Sequence, residues 1–260
     1  MKTIDIQQLA QYCLSAEEEK REIVRITEEY PNLTVEDAYL IQEELVNIKL
    51  AQGKKILGPK MGLTSRPKMV QMGVEEPIYG FIFDYMNVPN QEVVSMSDLI
   101  HPKVEAEIAF VLGKDIEGPG ITGAQVLAAT EYVVPALEII DSRYQNFKFT
   151  LPDVIADNAS SSRVVFGEKI PYSNDLDLEL VGVAITINGK LRDFGTGAAV
   201  LGNPAQSVAM LANMLSRKGK KLKKGEVILT GGITEALLLE TGDAVTAKLD
   251  GLGEVSFSIK

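Results

Sequence analysis

The chain has 260 residues, with 36 acidic against 26 basic side chains for a net charge of −10, one histidine, one cysteine and no tryptophan. His101 alone cannot build a multi-histidine zinc site, and Cys13 alone forms neither an intramolecular disulfide nor a cysteine-zinc or iron–sulfur centre. The acid surplus argues against a nucleic-acid partner, so any chemistry falls to carboxylates, lysine and a hard metal ion.

No apolar run approaches the length of a membrane span, and Met1-Lys2-Thr3-Ile4-Asp5 lacks the pattern of a secretory leader. Together with the lone cysteine, this predicts a cytoplasmic protein with no membrane partner. In chain order, Leu9 to Thr27 reads as helix, rich in Glu, Lys, Gln and Leu without Gly or Pro. Thr34 is an N-cap with Asp37 three residues on, and Ala38, Ile41, Leu45 and Ile48 form one apolar stripe before a C-cap position at Gly53. From Lys54 onward, glycines and prolines interrupt short apolar stretches, which is loop-and-strand composition. Strands are predicted at Val104–Leu112, Leu180–Ile187, Val227–Thr230, Ala244–Leu249 and Glu254–Ile259. Asn188-Gly189 and Asp250-Gly251 each signal a type I′ hairpin, and helices are predicted at Gly123–Tyr132 and Pro204–Arg217. The sum is an α+β chain: a small helical region over residues 1–78, then a β-rich mixed-sheet domain over 79–260.

Glu105 and Glu107 sit in Val104-Glu105-Ala106-Glu107-Ile108. Strand alternation puts both carboxylates on one face, with Val104, Ala106 and Ile108 on the other. Two like charges side by side are destabilising unless neutralised, so the segment fits either a solvated face or a cation site. Glu138 lies in the apolar run Val133 to Asp141, where a carboxylate is costly unless paired or bound to a cation. Three carboxylates suit Mg²⁺ or Mn²⁺, and pairing of Glu138 with Arg143 or a lysine is the alternative. Lys60 stands between Gly58 and Gly62, beside Thr64 and Ser65. It suits an anionic substrate or proton transfer, in a sequence without P-loop spacing. The polar turns around Ser160 and around Thr230-Gly231-Gly232-Ile233-Thr234 either bind oxyanions or simply turn the chain, their glycines permitting close backbone approach. His101 and Cys13 read as structural.

Taken together, Gly58 to Ser65, Glu105-Ala106-Glu107, Ala136 to Arg143, Ala156 to Ser161 and Gly231 to Ala236 resemble the hydratase–decarboxylase branch of the fumarylacetoacetate hydrolase superfamily. These motifs run in family order over nearly the whole chain. Lys68 to Val74, Pro77 to Gly80 and Tyr144 to Phe149 are more similar to the decarboxylase members than to the hydratases.

The resemblance implies a β-roll-like catalytic domain in a catechol meta-cleavage pathway. It further implies metal ligation by Glu105, Glu107 and Glu138, a catalytic Lys60, and substrate contacts from Ser160 and Thr234. The implied reaction is metal-dependent decarboxylation of 2-oxo-3-hexenedioate, a small 2-oxo dicarboxylate. Hydration of 2-hydroxypenta-2,4-dienoate, or a structural role beside a hydratase, are the alternatives. The implied assembly is a homo-oligomer, in some members complexed with the 2-hydroxypentadienoate hydratase. Absence of a histidine base argues against C–C bond hydrolysis.

Overall fold

The computed structural model describes residues 4–260; the first three residues, part of the N-terminal segment read above, lie outside it, as do the side chains at 68, 71 and 72. Helix α1 (Ile6–Glu19) starts where Asp5 accepts the Gln8 amide and ends at Lys20, whose φ of 53° turns the chain sharply. The continuous helix expected to Thr27 is therefore broken. Ile23 and Ile26 are both buried, and Ile23 bridges to Tyr144, so core packing overrides local helix propensity there. A single short turn, Ile26–Glu29, follows. Helix α2 (Val35–Ala51) has the Thr34–Asp37 capping box, and Gly53 leaves it at φ +85°.

Strands β1 (Ile56–Gly62) and β2 (Ile78–Phe83) are hydrogen-bonded into a nine-stranded mixed sheet with β3 (Lys103–Leu112), β4 (Thr130–Ile140), β5 (Ser161–Phe166) and later segments. The large sheet thus draws strands from both sides of position 78, although residues 1–78 read as a helical region. The helix expected over Gly123–Tyr132 stops at Leu127. Thr130 and Tyr132 pair instead with Leu112 and Val111, where β-branched and aromatic side chains suit a strand.

Strands β6 (Gly182–Ile187) and β7 (Lys190–Thr196) form a hairpin through Asn188 and Gly189, both at positive φ as type I′ requires. Helix α3 (Pro204–Ser216) precedes β8 (Val227–Leu229), β9 (Ala244–Leu249) and β10 (Gly253–Ile259). The final hairpin is present but takes a three-residue turn, Asp250 to Leu252, rather than the expected two-residue one. Leu252 is buried, and seating it needs the extra residue. A second, five-stranded sheet runs in the order β7-β6-β9-β10 and ends with Val93–Val94.

The two sheets share a core in which Val104, Ala106, Ile108, Leu137 and Ile139 join Val183, Ile185, Val245, Val255 and Phe257 in one cluster. The opposite face of β3 and β4 has its own apolar floor, built from Ala109, Val134 and Ala136 with Ile82, Phe83, Val164 and Leu229. With both faces covered, β3 and β4 are buried almost along their length. Among the described residues no helix is long and apolar enough to cross a membrane.

Candidate metal and substrate site

Register and curl assemble the site. In the β3–β4 ladder Glu105 faces Glu138 directly and Glu107 faces Ala136, so all three carboxylates share one face. β1 lies three strands from β4, through β8 and β3, which in a flat sheet is roughly 14 Å. Nevertheless the Lys60 ammonium is 3.0 Å from Glu138 Oε2. Only a strongly curled sheet brings them together, with the carboxylates on its inner face above the apolar floor.

The three glutamates place ligand oxygens within 4.8 Å of one another, and Glu107 and Glu138 are fully buried while Glu105 keeps 8% exposure. Burial, then the neighbouring Glu138, drive the Glu107 carboxyl well above the usual range. Burial also raises Glu138, with Lys60 opposing. Glu107 Oε2 accepts the Gly231 amide at 2.8 Å, but Glu107 Oε1 accepts no hydrogen bond. Lys60 is within ion-pair range of Glu138, yet neither Glu138 oxygen receives a well-directed hydrogen bond. Three buried carboxylates beside one ammonium, with Glu107 Oε1 and Glu138 Oε1 left without a donor, make a set that fits a hard divalent cation.

Backbone geometry frames this cluster. Asn158, Ala159 and Ser160 are all left-handed (φ 50°, 52° and 56°). Asn158 is tied to strand β2, accepting from Phe81 N at 2.8 Å and donating to Phe81 O at 2.9 Å. The Ala159 carbonyl thereby meets Lys60 Nζ at 3.1 Å, and the Ser160 hydroxyl is left buried without a partner. Across the site, Thr234 Oγ1 accepts the Ala106 amide at 3.0 Å, which holds its loop against β3. A Cβ on Gly232 would stand 2.6 Å from Glu105 Cδ, so the close approach anticipated for these glycines sets how near the loop comes to the carboxylate.

Arg143 is not the partner of Glu138. It is buried against Asp157, Nε to Oδ1 at 2.6 Å, and donates to the carbonyls of Asp141, Asp157 and Ser161. This clamp spans the 158–160 turn, and no local spacing in the sequence signals it. His101 lies outside the carboxylate cluster, with Nε2 2.7 Å from Glu22, and Cys13 is buried with its thiol pushed up to about 12 by desolvation. Gly195-Thr196-Gly197 is structural, since a Cβ at Gly197 would collide with the Leu178 carbonyl.

A family model described as the fumarylacetoacetate (FAA) hydrolase C-terminal region matches residues 66–260. The chain belongs to the fumarylacetoacetate hydrolase family. Within it, the chain is 51% identical over 248 residues to a 4-oxalocrotonate decarboxylase of Pseudomonas sp. (strain CF600), covering 95% of this chain and 94% of that protein. A 2-hydroxyhexa-2,4-dienoate hydratase of Comamonas testosteroni is 40% identical, covering 91% and 90%. The solved structure of 4-oxalocrotonate decarboxylase from Pseudomonas putida G7, complexed with magnesium and adipate, superposes with a TM-score of 0.97 at 46% identity over all of both chains.

Proposed function

We propose that this protein is a metal-dependent carboxy-lyase that converts 2-oxo-3-hexenedioate to 2-hydroxypenta-2,4-dienoate and carbon dioxide in catechol meta-cleavage. The observation that carries the reading is the buried convergence of Glu105, Glu107 and Glu138 beside Lys60, with Glu107 Oε1 and Glu138 Oε1 left without a donor. The decarboxylase relative at 51% identity stands above the hydratase at 40%, which favours decarboxylation over hydration. A complete carboxylate set with its lysine speaks against a purely structural subunit.

Glu105, Glu107 and Glu138 would hold Mg²⁺ or Mn²⁺. Such a cation supplies a Lewis acid for the 2-oxo oxygen of the substrate. The chain's own groups do the rest. Lys60, fixed between Glu138 and the Ala159 carbonyl, orients the conjugated substrate and moves a proton near it. The unpartnered Ser160 hydroxyl offers a donor to a substrate carboxylate. Thr234 accepts from Ala106 N and so keeps its own O–H to donate. Water is restricted, since Lys60, Glu107, Glu138, Ser160 and Thr234 are all buried.

The reading extends to a cytoplasmic homo-oligomer able to associate with the hydratase that consumes its product. Exposed Leu180, Leu191 and Phe194 beside and on edge strand β7 offer apolar surface for such contacts. The test is carbon dioxide release from 2-oxo-3-hexenedioate in protein stripped with EDTA and then resupplied with Mg²⁺ or Mn²⁺. Activity should vanish and return, and Lys60→Ala should lose most turnover while keeping metal affinity. Full activity in metal-free protein would overturn the reading.

A further inference from the structure

The proposed substrate carries a carboxylate at each end. A cation held by Glu105, Glu107 and Glu138 would take the 2-oxo end, and the distal carboxylate needs a cation of its own if it is not to be desolvated unpaired.

Strand alternation supplies one. Lys103 lies two residues before Glu105, so its side chain leaves β3 on the same face as Glu105 and Glu107. Glu105 is the ligand-bearing residue with residual exposure, while Glu107 and Glu138 have none. Along the strand Glu105 is also the one of the two β3 glutamates nearer Lys103. Lys103 is partly buried, and its ammonium stands 4.1 Å from the centroid of the Phe147 ring. Among the described residues it makes no ion pair with any carboxylate. The other lysine of the site differs, since Lys60 is paired with Glu138. A cation resting on an aromatic face is positioned but not neutralised, and a carboxylate can take it over without breaking an ion pair. Phe147 sits in the turn Gln145–Phe147.

We propose that Lys103, held by Phe147, is the specificity determinant that reads the distal carboxylate of the substrate. It discriminates dicarboxylates from monocarboxylates with the same metal-binding end. The inference rests on the decarboxylase reading, and its test separates the two. Wild type, Lys103→Met and Lys103→Arg, all loaded with Mg²⁺, are titrated calorimetrically with adipate and with hexanoate, and their decarboxylation kinetics are measured.

Lys103→Met should bind Mg²⁺ like wild type but lose its preference for adipate. Its KM for 2-oxo-3-hexenedioate should rise about 10-fold or more with kcat changed little, the signature of a contact made equally in ground and transition states. Lys103→Arg should retain most of the preference. Unchanged KM and unchanged adipate preference in Lys103→Met would overturn the role of Lys103. Loss of adipate preference in that variant, alongside a wild type that releases no carbon dioxide, would uphold the carboxylate contact and overturn the decarboxylase reading instead.

Discussion

At Gly232 the absence of a side chain sets the position of a carboxylate. Its φ lies outside the left-handed region, so alanine is tolerated by the chain itself, but the added Cβ would stand 2.6 Å from Glu105 Cδ. Gly232→Ala should therefore displace Glu105 while leaving the metal-free fold intact. The expected result is an Mg²⁺ affinity lower by about 10- to 100-fold, as when an outer support of a ligand is lost, measured by calorimetry with circular dichroism as the fold control. Wild-type affinity would show that Glu105 does not need its present position. Gly231 acts differently on the same loop, since its amide donates to Glu107 Oε2 and its φ of +103° favours glycine.

Between strands β4 and β5 the element that matters is the turn at 158–160. Its three left-handed residues are costly in isolation and persist because the surroundings over-determine them. Arg143 grips the carbonyls on either side, and Asn158 pairs with the backbone of β2. The N-terminal helices brace the same region: Gln42 on α2 donates to the carbonyls of Tyr79 and Ile155, and Thr27 donates to Asp153. Arg143→Ala would leave Asp157 buried and unpaired. It should destabilise the protein by about 3–5 kcal/mol in urea denaturation and reduce turnover through loss of the Ala159–Lys60 contact. A loss below about 1 kcal/mol would show that the clamp is dispensable.

Across the whole molecule, the curl of the large sheet concentrates negative charge in a dry interior, which links folding to protons and metal. In the metal-free protein Glu107 and Glu138 keep their protons above the ordinary value of 4.5, whereas the unfolded chain releases them there. Over that window the folded state binds more protons than the unfolded state. Stability from these groups is therefore present at low pH and lost as pH rises through the raised values. A divalent cation takes the place of those protons, so its stabilising effect should grow with pH. Melting temperatures in EDTA and in Mg²⁺, followed from about pH 5 to pH 9, should diverge as pH increases. Glu107→Gln, which removes the group raised most strongly, should flatten the decline in EDTA. Parallel curves for the two conditions would contradict a metal held by these carboxylates.

Local physics made part of this legible in the sequence. Strand period two places Glu105 and Glu107 together, Thr34 and Asp37 announce the start of α2, and Asn188-Gly189 makes a hairpin. Each depends on residues a few positions apart. The same local reading extended α1 through Lys20 and the Gly123 helix through Tyr132, because propensity carries no information about which apolar residues the core will claim. What faces Glu105, which cation reaches Glu138 and what Arg143 holds were settled only in three dimensions. Glu138 lies 33 positions from Glu105, and Lys60 reaches it across three strands of a curled sheet. Composition restricted the chemistry to carboxylates, lysine and a hard metal ion. The register and curl that bury the apolar faces decided which of 36 acidic residues converge beside Lys60, because such pairings are set by packing of the whole chain.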